Sequence, residues 1–199
     1  MFLVEKDTPG VVCTQLDKTG WLCSDTATIH FDDCRFASEN LLGSENGGFR
    51  MIMENFNAER IFLSGQCVYF SQLLIEEATA WANARRTFGK RLIDHQVIRH
   101  TLVDMATRTA AAEAYLDGVV AKFSRDEASC VADISMLKNF STDCFHFCAD
   151  KSVQILGGAG YIRGSNVERL YRETKVMQIG GGSTEIMKDL AAKQLGLAD

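Results

Sequence analysis

A glycine-rich stretch near the end of the chain has the composition of a ligand-binding bend. It runs Ile179-Gly180-Gly181-Gly182-Ser183-Thr184-Glu185-Ile186. Glycines let the backbone approach a ligand without an intervening side chain. Ser183 can cap a following helix, whose free N–H groups and positive dipole end favour an anionic or oxygen-rich ligand. The alternative is a flexible turn before a terminal helix, and this stretch alone leaves both interpretations open.

A carboxylate lies at helical spacing within an apolar pattern earlier in the chain. Glu59 follows Ile52 by seven residues and precedes Leu63 by four, which predicts a position on or beside the apolar stripe of a helix. An unpaired carboxylate held there has the environment of a general base. The alternative is an ion pair with the neighbouring Arg60 at the edge of the stripe.

Two further stretches match the chemistry of nucleotide binding. In Arg85-Arg86-Thr87-Phe88-Gly89-Lys90, arginine forks suit phosphate oxygens and Phe88 can stack beside a ring. Gln154-Ile155-Leu156-Gly157-Gly158-Ala159-Gly160-Tyr161 offers a glycine backbone as a cradle. The alternatives are cations that balance a helix dipole and a glycine C-cap followed by a turn. Neither stretch has the spacing of a dinucleotide fingerprint or a P-loop.

The elements that must position these groups are mostly helical. Apolar residues recur at spacings of three, four or seven from about Glu45 to near Arg86. A run from Ile98 to Phe123 has the nearly heptad seam of an antiparallel bundle, and a third covers roughly residues 131–156. A short helix near residues 166–172 and a last helix at about 183–195 follow. The sequence predicts a mainly α fold: an up-and-down bundle of four main helices. The residues predicted to face inward on the third run are Ile134, Leu137, Cys144, Cys148 and Ile155.

Residues 1–43 have the composition of β-strands. Phe2-Leu3-Val4, Val11-Val12-Cys13 and residues 26–31 are rich in β-branched or aromatic residues, with turn signals between them. These few segments cannot form an independent sheet. We therefore expect an incomplete β domain over residues 1–43, a helical bundle domain over 44–199, and a larger protein whose first part is missing.

Composition excludes several classes of protein. A net charge of −5 with scattered basic residues argues against nucleic acid as a partner. The sequence contains no apolar run of about 18 residues, so we expect no membrane span. It shows no apolar leader, so we expect no secretory signal. The seven cysteines include no C-x-x-C pair, so we expect reduced, mostly buried thiols in an intracellular protein. No cysteine or histidine spacing indicates a metal site.

In combination these stretches resemble the C-terminal part of the acyl-CoA dehydrogenase family, over essentially the whole chain. Arg85-x-x-Phe88-Gly89 with Gln96 is similar to the family's R-x-F-G…Q region. The stretch from Gln154 to Tyr161 and residues 167–175 are similar to its two late signatures. The segments that look like the second half of the family's middle β domain and its exit are Phe2-Leu3-Val4-Glu5, Pro9-Gly10, Leu42-Gly43 and Gly47-Gly48-Phe49.

The resemblance implies a reaction, a cofactor and partners. The family uses FAD to oxidise an acyl-CoA thioester to the trans-2-enoyl-CoA: a carboxylate removes the α-proton and the β-hydrogen leaves as hydride to the flavin. Electron-transfer flavoprotein is the implied electron acceptor, and a homo-oligomer, dimer or tetramer, is the implied assembly. The implied location is the bacterial cytoplasm or, for a eukaryotic protein, the mitochondrial matrix.

One departure from the family pattern bears on the catalytic base. Most members carry it as Glu in a late Glu-Gly-Thr motif, but this chain has Gly181 in that slot, and glycine cannot take a proton. The isovaleryl-CoA and long-chain branches instead place the base on the first helix of the bundle, in a Glu-Arg-(Leu/Ile) context. Glu59-Arg60-Ile61 matches that context. The resemblance therefore makes Glu59 the predicted base.

The remaining roles follow from the resemblance by position. The backbone N–H of Gly181 is expected to bind the thioester oxygen, with help from the flavin ribityl chain. Ser183 stands where threonine is usual, and Arg50 replaces a more usual aromatic or apolar residue. The predicted FAD contacts are Ser183, Thr184 and Glu185 at the last helix and, toward a neighbouring subunit, Arg85, Phe88, Gln96, Gln154, Ile155, Leu156, Gly157 and Gly158. The predicted acyl-CoA contacts are Arg50, Asn57, Ala58, Arg60, Gly181 and Gly182.

The family's N-terminal helical domain and the first half of its β domain have no counterpart in this sequence. We therefore expect the chain alone to bind FAD poorly. The alternative function is a catalytically silent bundle that assembles subunits or binds acyl-CoA without oxidising it.

Overall fold

A computed structural model describes residues 1–198 of the chain. The described part divides into two compact units, Met1–Phe56 and the residues from Asn57 onward. The division falls within the first long helix, α1, which spans Gly48–Ala84. The predicted domain boundary after residue 43 stays a prediction.

The first unit contains a small antiparallel sheet. Strand β1 (Val11–Gln15) pairs with β2 (Ala27–Phe31), with Val11 opposite Phe31. The prediction of a third strand at Phe2-Leu3-Val4 is wrong. Phe2 forms an isolated bridge with Leu41, and this single pairing does not extend into a ladder.

The described part of the second unit is mainly helical and includes a short hairpin. After α1, strands β3 (Arg86–Thr87) and β4 (Lys90–Arg91) form the hairpin. The chain then forms α2 (Gln96–Phe123), α3 (Val131–Leu156), α4 (Gly158–Tyr161), α5 (Asn166–Ile179) and α6 (Thr184–Gln194). The predicted mainly α fold is confirmed.

Side-chain contacts give the direction of each long helix relative to α3. Along α2 and α5 the contacting residue numbers fall as those of α3 rise, so both run antiparallel to α3. Along α1 they rise together, so α1 runs parallel to it, and the four helices alternate up and down. The contacts are Thr109–Cys148 and Lys122–Asp133 for α2, Ser71–Cys144 and Leu74–Ser152 for α1, and His146–Thr174 and Lys138–Gln178 for α5.

The core lies along the predicted seams. On α3 the residues predicted to face inward are all buried. On α2 the predicted run supplies the buried residues Leu102, Met105, Thr109, Ala112 and Val119. Helical periodicity therefore located this core correctly. The seven cysteines are free thiols, and four of them are buried. This agrees with the prediction of reduced, mostly buried thiols.

Helix α5 extends seven residues beyond its predicted end at Arg172, to Ile179. Its added part buries Glu173, Thr174, Met177 and Gln178. Three of these four side chains are polar, so the apolar pattern that marks a helix is missing there. Within residues 1–198 no helix carries an apolar segment long enough to cross a bilayer.

We expect the two valines Val119 and Val103 of α2 to respond differently to truncation. Val119 is 3% exposed and packs against α3, whereas Val103 is 61% exposed. Val119→Ala should lower the free energy of unfolding by about 2 kcal/mol through lost burial and a residual cavity. Val103→Ala should change it by less than about 0.5 kcal/mol. Urea unfolding of both variants tests this, and equal effects would contradict the assigned core.

Candidate active site

The glycine-rich stretch forms the bend between α5 and α6. Ser183 is the N-cap of α6, and its Oγ accepts a hydrogen bond from the Ile186 backbone N–H at 3.5 Å. A second bond, from Gly180 N to Val176 O at 2.7 Å, closes the end of α5. The bend is therefore tied to a helix on each side, and the predicted cap at Ser183 is present.

Two of the three glycines are required by the backbone conformation. Gly181 and Gly182 have φ values of +68° and +114°, which L side chains rarely adopt. A Cβ on Gly182 would also stand 2.5 Å from Cε of Met187. Gly180 has a φ of −61° and carries no such requirement. The bend is thus a specific turn rather than a flexible one.

Arg60 connects α1 to this bend. Its side chain is buried, and Nε donates a hydrogen bond to the carbonyl oxygen of Gly181 at 2.8 Å. Arg60 lies seven residues before the fully buried Cys67, so it shares the inward face of α1. Burial lowers the pKa of Arg60, and the nearby charge of Glu59 opposes that shift.

Lys138 of α3 reaches the same bend, and sequence reasoning did not identify it. The side chain is 0% exposed, and Nζ donates hydrogen bonds to Gln178 O at 2.9 Å and to Gly182 O at 2.6 Å. Burial lowers the pKa of Lys138 to about 8. A signal was present: Lys138 follows the inward-facing Ile134 by four residues, so the helical period places a lysine in the core.

Asn139, the next residue on α3, contacts the start of α6. Its Nδ2 donates to the carbonyl oxygen of Thr184 at 3.0 Å. Its Oδ1 is buried and has no hydrogen-bond partner among the described residues. At Glu185, hydrogen bonds from its own backbone N–H and from Ser183 lower the carboxyl pKa. The region from Gly181 to Glu185 is therefore fixed by α1, α3 and its own cap.

Glu59 is exposed, so it lies beside the buried stripe of α1 and not within it, and its role as the base stays a prediction. The inward face of α1 is formed by Arg60, Leu63, Ser64 and Cys67, which repeat at helical spacing. Glu59 is about 100° of helix rotation from Arg60 but only about 40° from Leu63, so it lies at the edge of that face. It nevertheless lies next to Arg60, whose side chain touches the bend.

The other predicted acyl-CoA contacts on α1 differ in exposure. Asn57 is half-buried and Ala58 is exposed. Arg50 is exposed and belongs to the first unit, where its Nε donates to Glu54 at 2.8 Å.

The remaining predicted cofactor contacts form a second group. Arg85 follows the end of α1, and Gln96 begins α2. Phe88 is 97% exposed and has a φ of +50° at the hairpin turn. At the end of α3, Gln154, Gly157 and Gly158 are exposed and Leu156 is half-buried. Ile155 is buried, so its side chain packs in the core.

The structure brings this second group to one end of the bundle. Ala84 at the end of α1 and Leu156 at the end of α3 line the same cavity. From Arg60 to Arg85 the rise along a helix is roughly 37 Å. The predicted site residues of the second unit therefore form two groups, one around the glycine bend and one at the far end of the bundle. Within residues 1–198 no cluster of His, Cys, Asp and Glu could hold a metal ion.

Comparison with known proteins identifies the family. The family model described as "Acyl-CoA dehydrogenase, C-terminal domain" matches residues 46–196. The chain belongs to the acyl-CoA dehydrogenase family. It is 37% identical to an acyl-CoA dehydrogenase of Bacillus subtilis, over 98% of this chain and 51% of that protein. It is 32% identical to the mitochondrial long-chain specific acyl-CoA dehydrogenase of Sus scrofa, over 98% of this chain and 45% of that protein.

A solved structure agrees with the family assignment. A Mycobacterium smegmatis protein, provisionally named an acyl-CoA dehydrogenase, is 40% identical with a TM-score of 0.96, over 100% of this chain and 52% of that one. The chain thus spans about half the length of the acyl-CoA dehydrogenases it matches. The resemblance identified from sequence is confirmed.

We expect alanine to have opposite effects at two glycines of the bundle. Gly182→Ala should lower the free energy of unfolding by about 1–3 kcal/mol, because of its positive φ and the contact with Met187. Gly118 of α2 is exposed and a Cβ there meets nothing within 4 Å. Gly118→Ala should therefore raise stability by about 0.5–1 kcal/mol. Urea unfolding measures both, and a neutral Gly182→Ala would contradict the described bend.

Lys138 should make stability depend on pH in a defined direction. Its pKa is lowered to about 8 from 10.5, so between these values the unfolded chain binds more protons than the folded chain. The Lys138 contribution to the free energy of unfolding therefore rises with pH from about 8 and is constant below. We subtract the free energy of unfolding of Lys138→Met from that of the wild type, each measured by urea unfolding from pH 7 to 10. This difference should rise by at most about 1.4 kcal/mol per pH unit. A flat or falling difference would show that the lysine is not buried in its charged form.

Proposed function

We propose that the full-length protein is a flavin-dependent acyl-CoA dehydrogenase that converts acyl-CoA to trans-2-enoyl-CoA. Glu59 takes the α-proton, and the backbone N–H of Gly181 binds the thioester oxygen. The observation that carries this proposal is the hydrogen bond from Arg60 Nε to Gly181 O. It brings the residue that follows Glu59 to the bend where a Glu-Gly-Thr motif would supply the base in most members of the family.

Proximity supports Glu59 as the base. Consecutive α-carbons are about 3.8 Å apart, so the backbone of Glu59 is next to that of Arg60. Glycine at position 181 supplies no proton acceptor, whereas a carboxylate on α1 does. Glu59 is exposed in this chain, which spans about half the length of its relatives, so the proposal concerns the full-length protein.

The surroundings of the bend suit the charge that develops during proton abstraction. Removal of an α-proton moves negative charge to the thioester oxygen, which donors and nearby positive charge stabilise. Arg60 and Lys138 bring two cationic side chains to the backbone of Gly181 and Gly182. Their bonds to carbonyl oxygens also keep the orientation of the bend fixed before reaction.

The described residues fit an FAD group in two places. At the start of α6, Ser183 and Thr184 lie beside the free N–H groups of a helix N-terminus, and Asn139 Oδ1 is a buried acceptor without a partner. At the far end of the bundle, Phe88 and the glycines after Leu156 face outward, as a contact toward a neighbouring subunit requires. Bound there, FAD would supply the hydride acceptor. A Bacillus anthracis acyl-CoA dehydrogenase solved with FAD is 27% identical, with a TM-score of 0.92 over 98% of this chain and 36% of that one.

The substrate is proposed as a class, a CoA thioester. Relatives are named for different acyl groups, including long-chain acyl-CoA and cyclohexane-1-carbonyl-CoA, and a glutaryl-CoA dehydrogenase is solved with glutaryl-CoA. These acyl-CoA compounds share the thioester group, and the bend is the part of this chain proposed to bind it. A series of acyl-CoA lengths on the full-length enzyme would identify the preferred chain.

The proposed partners follow from the same relatives. A matching chain, 31% identical, comes from a structure named for the electron-transferring flavoprotein of Acidaminococcus fermentans. We propose electron-transfer flavoprotein as the electron acceptor, a homo-oligomer (dimer or tetramer) as the assembly, and the bacterial cytoplasm or mitochondrial matrix as the location.

The exposure of Glu59 favours a second candidate, a bundle that binds acyl-CoA or assembles subunits without oxidising substrate. A base that stays exposed in the full-length protein would not exclude water from the reacting carbon. The two candidates differ in one measurement. Anaerobic addition of acyl-CoA bleaches the flavin absorbance of a dehydrogenase and leaves that of a silent scaffold unchanged.

Glu59→Gln in the full-length protein should slow flavin bleaching by about 10²- to 10⁴-fold, because glutamine keeps the shape but cannot accept the proton. Glu59→Asp should give an intermediate rate, since its carboxylate is one methylene shorter. Stopped-flow absorbance with saturating acyl-CoA measures each rate.

The matched control is Glu76→Gln, which changes an exposed glutamate on the same helix and should leave the rate unaltered. A near wild-type rate in Glu59→Gln would remove Glu59 from the mechanism. Absence of bleaching in the wild type itself would instead support the silent scaffold.

A further inference from the structure

Lys138 is a fully buried charged side chain whose hydrogen bonds converge on the bend. Lys138 Nζ spans the bend, because it binds Gln178 O in the last turn of α5 and Gly182 O beyond Gly181. The second distance, 2.6 Å, is that of a short, charge-assisted hydrogen bond.

Arg60 and Lys138 hold successive carbonyl groups of the bend from different helices. Arg60 Nε binds Gly181 O from α1, and Lys138 Nζ binds Gly182 O from α3. A peptide plane is rigid, so fixing the carbonyl of one residue fixes the N–H of the next. The bond to Gly182 O sets the direction of the Ser183 N–H, and the bond to Gln178 O holds the chain that leads to Gly181.

A buried lysine lowers stability unless ion pairs or hydrogen bonds offset the cost of removing its ammonium group from water. Moving an ammonium group out of water costs several kcal/mol, and apolar residues of similar size often replace buried charges without loss of stability. A methionine would fill the same volume in α3. Stability alone is therefore a weak reason for a lysine here, whereas orientation of a glycine bend with positive φ is a specific one.

We propose that Lys138 is a positioning residue for the reaction at the bend: by holding the carbonyls of Gln178 and Gly182, one on each side of Gly181, it restrains the backbone between them and so keeps the Gly181 N–H directed at the thioester oxygen. This role rests on the proposed function. Lys138 touches neither substrate nor the reacting atoms, and it acts through the backbone of residues 178–182.

Among the titratable groups that face one another around Lys138, Lys138 is the one whose protonation changes near pH 8. Cys67 and Arg60 face it from α1, and Glu185 faces it from α6. Burial raises the pKa of the Cys67 thiol, so that group stays protonated. Hydrogen bonds lower the pKa of Glu185, so that group is already ionised. Loss of the proton from Lys138 as pH rises through about 8 would remove the charge assistance from both hydrogen bonds.

The test uses Lys138→Met in the full-length protein supplied with FAD. Because the oriented N–H acts mainly on the transition state, the rate of flavin bleaching at saturating acyl-CoA should fall about 10- to 100-fold, while the acyl-CoA concentration for half-maximal rate changes less than about threefold. Amide hydrogen exchange of residues 180–183, measured by mass spectrometry, should accelerate in the same variant.

Lys175→Met is the matched control. Lys175 also contacts Gln178, through the side-chain Oε1 at 3.0 Å, but it is exposed and does not reach the bend carbonyls. It should retain the wild-type bleaching rate and exchange pattern. An unchanged bleaching rate or unchanged exchange in Lys138→Met overturns the proposal, as does an equal effect in Lys175→Met.

A measurement on the wild type covers the case in which Lys138→Met does not fold. Protection of the amides of residues 180–183, corrected for intrinsic exchange, should decrease as pH rises through about 8, while protection of the α2 core stays constant. Constant protection at the bend overturns the proposal. If the wild type shows no bleaching, the proposed function fails, while the exchange experiments still report whether Lys138 holds the bend.

Discussion

Hydrogen bonds from two buried cations to the backbone of one glycine bend set the geometry of the helical unit around its candidate site. A helix C-terminus leaves carbonyl groups without partners and carries the negative end of the dipole. At the end of α5, Lys138 meets both needs at Gln178 O, and it extends to Gly182 O, while Arg60 holds Gly181 O between them. Three segments distant in sequence, on α1, α3 and the bend, are joined by these contacts. Because each donor comes from a helix packed in the core, the bend inherits the rigidity of the bundle.

The bundle also separates two groups of predicted site residues along its length. Helix α1 contacts the bend through Arg60 and ends at Ala84, next to the hairpin that carries Phe88. The up-and-down order brings the end of α3, with its glycines, to the same end as that hairpin. One rigid helix thus presents a residue to the bend and, roughly 37 Å away along its axis, supports an exposed surface. The FAD proposed to contact a neighbouring subunit would use that exposed surface.

Membership of the acyl-CoA dehydrogenase family gives this arrangement a chemical interpretation. The proposed reaction needs a carboxylate and an oriented thioester, and the resemblance places the usual late position of that carboxylate at Gly181. Glycine at this position allows the positive φ of the bend, and its carbonyl is held by Arg60. Arg60 contacts the bend, and the residue directly before it, Glu59, carries a carboxylate. Gly181 at the late position and Glu59 as the proposed base would therefore belong to a single site.

The sequence by itself determined what depends on local, periodic signals. Repeats of three and four residues defined α1, α2 and α3 and the inward faces of α2 and α3, the Ser183 cap defined the start of α6, and combined motifs defined the family. Periodicity failed where the buried face is polar, at the end of α5, and where a strand needs a partner, at Phe2. Only the tertiary structure decided that Arg60 rather than Glu59 faces inward, because the rotation of α1 is set by packing against other helices. Only it revealed the hydrogen-bond partners of Lys138, one of which, the carbonyl of Gln178, lies 40 residues away. A sequence pattern records which residues share a face, whereas the partner of a buried charge depends on which distant segments the fold brings together.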